Sequence, residues 1–189
     1  DNGYNVKSMD LLIYNNHSCV INHYEHSQYE FIYGDMANKL ALEKALDGVD
    51  YVILLAGLVG DPITKKYPRA AKIINDHGVK NVIDTCKTSK IKRLIFVSTC
   101  SNYGLIKNDE LADEKHELKP LSLYAQSKVA IEKYILSLKN NVNYHPTILR
   151  FSTAFGLSSR MRFDLTVSEF TREIFLGKEL LVFDAETWR

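Results

Sequence analysis

Tyr124 and Lys128 stand four residues apart in the run Leu121-Ser122-Leu123-Tyr124-Ala125-Gln126-Ser127-Lys128, a spacing that stacks two side chains one turn apart on a helix. A free phenol titrates near pH 10 and is a poor base at neutral pH, but a nearby ammonium favours the phenolate. The pair is therefore expected to lower the pKa of Tyr124 and to move a proton on or off a hydroxyl or carbonyl. Spacing alone is weak evidence, because tyrosine and lysine fall four apart by chance on many helices.

The elements around the pair strengthen the reading. Ile131, Tyr134, Ile135 and Leu138 continue at helical spacing, and Pro120 and Ser122 punctuate the start, so the pair sits on the first turns of an amphipathic helix. Upstream, Lys92-Arg93-Leu94-Ile95-Phe96-Val97-Ser98-Thr99 reads as a buried strand that ends in hydroxyls. Ligands of open α/β sheets bind beyond the carboxyl ends of the strands. A second continuous apolar strand is expected over 51–57, covered on both faces. Further strands are expected at 6–10, 30–36, 145–156 and 179–184. Helices are expected at 38–46 (Leu40, Leu42 and Leu46 partly inward, stopped by Gly48), at 67–89 with Gly78 packed close against the sheet, and at 163–176, where Phe163, Val167, Phe170 and Ile174 share a face. Residues 14–29 read as a polar loop.

Strand-end hydroxyls followed by YxxxK on the next helix resemble the extended short-chain dehydrogenase/reductase superfamily, in particular its nucleotide-sugar epimerase/dehydratase group, over nearly the whole chain. The resemblance implies an α/β fold, a Rossmann-like doubly wound parallel sheet. It implies that Thr99 contacts a substrate hydroxyl, that Tyr124 is the acid/base, and that Lys128 binds the nicotinamide ribose and tunes the tyrosine. The cofactor set implied in the same way comprises Asp10, Asp35, Met36, Leu55, Ala56, Gly57, Asn75, Ser98, Phe151 and Ser152 together with Tyr124 and Lys128. Asp35 and Met36 would lie against the adenine, Leu55-Ala56-Gly57 would line the cofactor, and Phe151 and Ser152 would lie near the nicotinamide. Thr153 stands where relatives often have a substrate-contacting Asn. Arg160 and Arg162 have the chemistry to grip a nucleotide diphosphate through charge-assisted forks, or to form a surface pair with no ligand. Sugar 4,6-dehydratases of the group carry an Asp-Glu pair just after the Thr; here those positions are Cys100 and Ser101, which lowers the dehydratase reading.

Composition bounds these readings. With 189 residues, 46% apolar and 25% charged, the chain can bury a sizeable core. A formal charge of +1 gives no electrostatic case for nucleic acid or an anionic membrane. The longest apolar runs have strand length. Cys19, Cys86 and Cys100 lack disulfide or metal-ligand spacing, and His17, His23 and His26 lie in a polar loop without accompanying carboxylates or thiolates, so no metal is expected and a cytoplasmic setting is. The acidic run Asp109, Glu110, Asp113, Glu114 and Glu117 reads as a solvated, mobile rim beside the substrate.

A dinucleotide fold needs a glycine-rich turn about 20 residues before the ribose-binding acid, and no such turn occurs in this sequence. The chain is therefore expected to be a fragment in which the first strand is missing. Residues 1–156 would be the NAD-binding domain, truncated at its N-terminus, and residues 157–189 the beginning of a substrate-binding region, truncated at its C-terminus. The whole protein is read as an NAD-dependent epimerase acting on a nucleotide sugar, a homodimer by resemblance. Two alternatives stay open: an NAD(P)-dependent ketoreductase of the same superfamily, and a non-catalytic binding module or inactive fragment.

The resemblance assigns Asp10 to the adenosine ribose of NAD, where its carboxylate would repel a 2′-phosphate; the alternative is an Asp that merely ends a strand. In the whole protein NAD should bind more tightly than NADP, and a titration giving NADP equal or better affinity removes Asp10 from the site.

Overall fold

The computed structural model describes residues 2–106 and 110–182. Five strands and seven α-helices alternate along them: β1 (Val6–Asp10), α1 (Ser18–Ile21), β2 (Tyr29–Tyr33), α2 (Lys39–Leu46), β3 (Tyr51–Leu54), α3 (Asp61–Lys66), α4 (Pro68–Lys72), α5 (Val79–Thr88), β4 (Arg93–Thr99), α6 (Leu123–Leu138), β5 (His145–Phe151) and α7 (Thr166–Phe175). Every strand pairing is parallel. Parallel neighbours need a crossover, and the alternation of strand and helix supplies one each time. The result is the Rossmann-like α/β architecture that the sequence reading expected.

The strands form two sheets, β1-β2 and β3-β4-β5. Set against the doubly wound order 3-2-1-4-5-6, these are the two flanks of a central position that no described strand occupies. β1 and β3 accordingly each pair on one side only. The loops that follow β1 and β5 nevertheless meet: Arg160 lies 4.8 Å from the Tyr14 ring centroid, and Asn22 Nδ2 donates to Ser159 Oγ at 3.4 Å.

Helices α5 and α6 bury one face of the three-stranded sheet. Val82, Ile83 and Cys86 of α5 and Ile131 and Ile135 of α6 close over Leu94 and Phe96 of β4 in a single core cluster. Every second residue of β4 faces that core, as the period of two requires. The other face departs from expectation. Tyr51 and Ile53 of β3 are 56% and 60% exposed, because the described helices pack on the opposite side and β3 lacks a neighbour at its free edge.

Smaller departures have equally local causes. The expected long helix over 67–89 runs without interruption over 68–88, with a π-helical turn (Ile73–Gly78) joining α4 to α5, and α3 precedes it as a separate helix. Gly78 packs on Met36 rather than on the sheet: a Cβ there would meet Met36 Cε at 2.9 Å. The polar loop contains the single turn α1. In α2 only Leu42 is buried and Leu40 faces solvent. The apolar face of α7 is uncovered; Val167 and Ile174 are exposed and Ser168 is its buried residue. No strand forms over 179–182, and 183–189 lie outside the described residues, as does Asp109. Among the described residues no helix is long and apolar enough to cross a membrane.

The one-sided core makes a direct test. Leu94→Ala, at a position with 0% exposure, should cost about 2–5 kcal/mol in urea unfolding, whereas Ile53→Ala on the same sheet should stay within about 0.5 kcal/mol. Equal losses would mean that both faces are covered.

Candidate active site

The site grows from the junction of β4 and α6. Ser122 caps α6, its Oγ accepting from Ala125 N at 3.2 Å, which fixes the first turn and with it Tyr124. At the end of β4, Thr99 Oγ1 accepts from Ser101 N at 3.2 Å and caps a short 3₁₀ turn (Cys100–Tyr103). Lys128, 6% exposed, donates from Nζ to the Val97 carbonyl at 2.8 Å and lies 4.6 Å from the Phe96 ring centroid and 5.8 Å from that of Tyr124. Thr99, Tyr124 and Lys128 thus share one strand end.

Electrostatics there run against one expectation from sequence. Burial pushes the Tyr124 phenol up from its ordinary value; Arg162 opposes that shift, while Asp61 and Cys100 add to it. The expected lowering by Lys128 is absent because that ammonium is turned to the Val97 carbonyl and to Phe96. Burial also draws Lys128 down to about 8, with Glu132 holding it up. Among the described residues the cation that acts on the phenol is Arg162, which forks onto Asp164 at 3.1 and 2.7 Å.

Beneath the pair lies a network that sequence reasoning missed. Glu132, 1% exposed, accepts from Ser98 Oγ at 2.5 Å and from Asn102 Nδ2 at 2.7 Å on Oε1, and from Arg150 Nη2 at 2.7 Å and Nε at 3.1 Å on Oε2. Arg150 reaches on to Tyr103 Oη at 3.1 Å. The available signal was spacing: Tyr124, Lys128 and Glu132 recur every fourth residue on one helix face, and a carboxylate on the inward face of an amphipathic helix must find partners.

The remaining sequence candidates spread along the same strand ends. Asp10, exposed at the end of β1, accepts from Leu12 N at 2.6 Å through Oδ1. Asp35 Oδ1 accepts from Ala37 N at 2.8 Å, and the Met36 carbonyl accepts from Asn81 Nδ2 at 2.7 Å. Buried Asn75 clamps the loop after β3, accepting from Leu58 N at 2.8 Å and donating to Leu58 O at 3.0 Å. Gly57 sits beside it with φ +151°, and a Cβ there would come within 2.9 Å of Asn75 Oδ1. Leu55 and Ala56 are exposed. Ser98 is turned inward to Glu132, so its hydroxyl faces away from the open strand ends. Phe151, Ser152 and Thr153 are exposed at the end of β5. Arg160 and Arg162 line a cavity of about 260 Å³ with Ala154, Phe155, Ser158 and Ser168.

The chain is thus a parallel α/β sheet with a hydroxyl, a tyrosine and a lysine at one strand end and glycine and small residues along the neighbouring ends. The sequence matches the profile of the NAD dependent epimerase/dehydratase family over residues 1–189, and the chain belongs to that family. It is 32% identical over 130 residues to the N-acetyl-alpha-D-glucosaminyl-diphospho-ditrans,octacis-undecaprenol 4-epimerase of Escherichia coli O157:H7, covering 67% of this chain and 38% of that protein. It is 28% identical over 136 residues to the human sterol-4-alpha-carboxylate 3-dehydrogenase, decarboxylating, covering 70% of this chain and 36% of that protein. The fold is similar to that of the UDP-glucuronic acid 4-epimerase from Bacillus cereus, solved in complex with UDP-glucuronic acid and NAD, with a TM-score of 0.84 and 26% identity over 98% of this chain and 59% of that one. The chain thus spans well under half the length of these two curated relatives.

Titration of Lys128 gives the site a signature in stability. Its folded pKa of about 8 lies below the ordinary 10.5, so between those pH values the unfolded chain binds more protons and stability rises with pH; below about 8 the contribution is constant. The parent should therefore gain stability relative to Lys128→Met when urea unfolding is moved from pH 8 to pH 10. Parallel pH dependence in the two proteins would mean that the ammonium is not desolvated.

Proposed function

We propose that the whole protein is an NAD-dependent epimerase acting on a nucleotide-activated sugar through a transient ketone. The observation that carries this reading is the convergence of Thr99, Tyr124 and Lys128 on one strand end in a chain of this family. Exposed Asp10 and Asp35 at the ends of β1 and β2, Gly57 held against Asn75, and exposed Phe151 at the end of β5 fit a dinucleotide laid across the strand ends. The glycine-rich turn that would hold its pyrophosphate is not found in this sequence. NAD, when bound, supplies the hydride acceptor and donor.

Tyr124 takes the proton from a sugar hydroxyl as the ketone forms and returns it after the carbon has been inverted. Thr99 holds that hydroxyl. Lys128 leaves the Val97 carbonyl to hold a ribose hydroxyl, and its ammonium then favours the phenolate that burial alone disfavours. Asp10, Asp35, Met36, Leu55, Ala56, Gly57, Asn75, Ser98, Phe151 and Ser152 frame the cofactor, Ser98 through its backbone. Thr153, Arg160 and Arg162 bind the nucleotide-sugar, the arginines at its diphosphate. Residues 1–156 act as the cofactor-binding part and the substrate-binding region begins at 157. The unpaired thiols of Cys19, Cys86 and Cys100 support a reducing cytoplasm, and the homodimer rests on the family resemblance.

A net oxidoreductase is the second reading, favoured by the similarity to a dehydrogenase. Cofactor turnover separates the two, since an epimerase consumes no nicotinamide and an oxidoreductase consumes one per cycle.

Tyr124→Phe keeps the ring and deletes the hydroxyl. In the whole enzyme it should fold like the parent and lose about 10² to 10⁴ in turnover. Near-full turnover on a substrate that the parent converts would place the acid/base elsewhere.

A further inference from the structure

Two consecutive residues of β4 bond to two residues of α6 one turn apart. The Val97 carbonyl accepts from Lys128 Nζ at 2.8 Å, and Ser98 Oγ donates to Glu132 Oε1 at 2.5 Å. Thr99 follows directly in sequence, and Tyr124 lies one turn before Lys128. The same carboxylate accepts from Asn102 on the 3₁₀ turn and from the fork of Arg150 on β5. One buried group therefore ties together the strand, turn, helix and neighbouring strand from which the proposed proton-transfer residues project. Both oxygens of the buried carboxylate are hydrogen-bonded, and a buried charge paired in this way restrains the groups that bond to it.

We infer that Glu132 is a positioning residue for this site: anchored by Arg150, its carboxylate sets Lys128 and the end of β4 relative to each other, and so sets where Tyr124 and Thr99 face. It touches neither cofactor nor substrate, and the inference rests on the catalytic reading above for the purpose of that geometry. Phe96 and Val97 face Lys128 from β4, and Tyr124 and Glu132 from its own helix. Glu132 is the charged group among the described residues that acts on the buried ammonium, and it holds it charged. Glu132 is faced in turn by Arg150 from β5, Ser98 from β4 and Asn102 from the 3₁₀ turn.

The test uses the full chain labelled with ¹³C-lysine, with the Lys128 resonance assigned through Lys128→Met. The parent should titrate near the midpoint of about 8. Glu132→Gln, which keeps the side-chain shape, should move that midpoint down by about one unit, and Glu132→Asp should bring it back toward the parent. Ser98→Ala leaves the ion pair with Arg150 intact and removes the Ser98 hydroxyl's bonds to Glu132 and Asn102, so it should displace the Lys128 resonance at fixed pH while the chain stays folded. That variant decides the matter alone if Glu132→Gln does not fold. A purely structural carboxylate gives a different result: folded variants with lowered melting temperatures whose Lys128 shift and midpoint match the parent, and that result overturns the inference. Neither cofactor nor substrate enters the measurement. A whole protein that proves not to bind NAD would remove the catalytic reading and leave this result standing.

Discussion

A carboxylate with 1% exposure organises the centre of this molecule. Taking an ion out of water costs several kcal/mol unless its attraction to a counter-ion and a full set of hydrogen bonds offset the loss. Glu132 meets that demand with both oxygens occupied, by Ser98 and Asn102 on one and the Arg150 fork on the other. Those partners come from β4, the 3₁₀ turn and β5, so α6 cannot slide or rotate against the sheet without exposing the charge to unpaired burial.

From that fixed helix the proton chemistry inherits two opposed effects of burial. Removing water raises the phenol of Tyr124 and lowers the ammonium of Lys128, because desolvation disfavours whichever form is charged. Both shifts favour the neutral groups. Arg162 already opposes the rise in Tyr124, and it belongs to the loop after β5 that lines the cavity with Arg160.

The two sheets contribute unequally to this arrangement. β3-β4-β5 and its covering helices hold the core together with Thr99, Tyr124 and Lys128, while β1-β2 carries Asp10 and Asp35 at the far end of the row. What joins the two across the unfilled central position among the described residues is loop contact at the strand ends, Arg160 on Tyr14 and Asn22 on Ser159. Parallel β-pairing is cooperative along a sheet and needs a partner on each side to bury both strand edges. The exposed Tyr51 and Ile53 of β3 lie on the sheet face that the described helices leave uncovered.

Much of this was legible from the chain alone, and the reason is local. Short strand-length runs marked β1 to β5, helical spacing marked α2, α6 and α7 to within a few residues, and Ser122 announced the start of α6. The sequence by itself therefore determined the α/β alternation and the stacking of Tyr124 and Lys128 one turn apart, since helix pitch fixes that pair, while the place of Thr99 beside them was what the family resemblance implied. Tertiary structure alone decided what those groups experience. The direction of the Tyr124 shift depends on where the Lys128 ammonium points, and that is set by the Val97 carbonyl 31 residues away in sequence. Glu132 and Arg150 look like ordinary helix and strand charges until β5 lies beside β4. The uncovered faces of β3 and α7 likewise follow from what packs against them, and period and spacing carry no record of that.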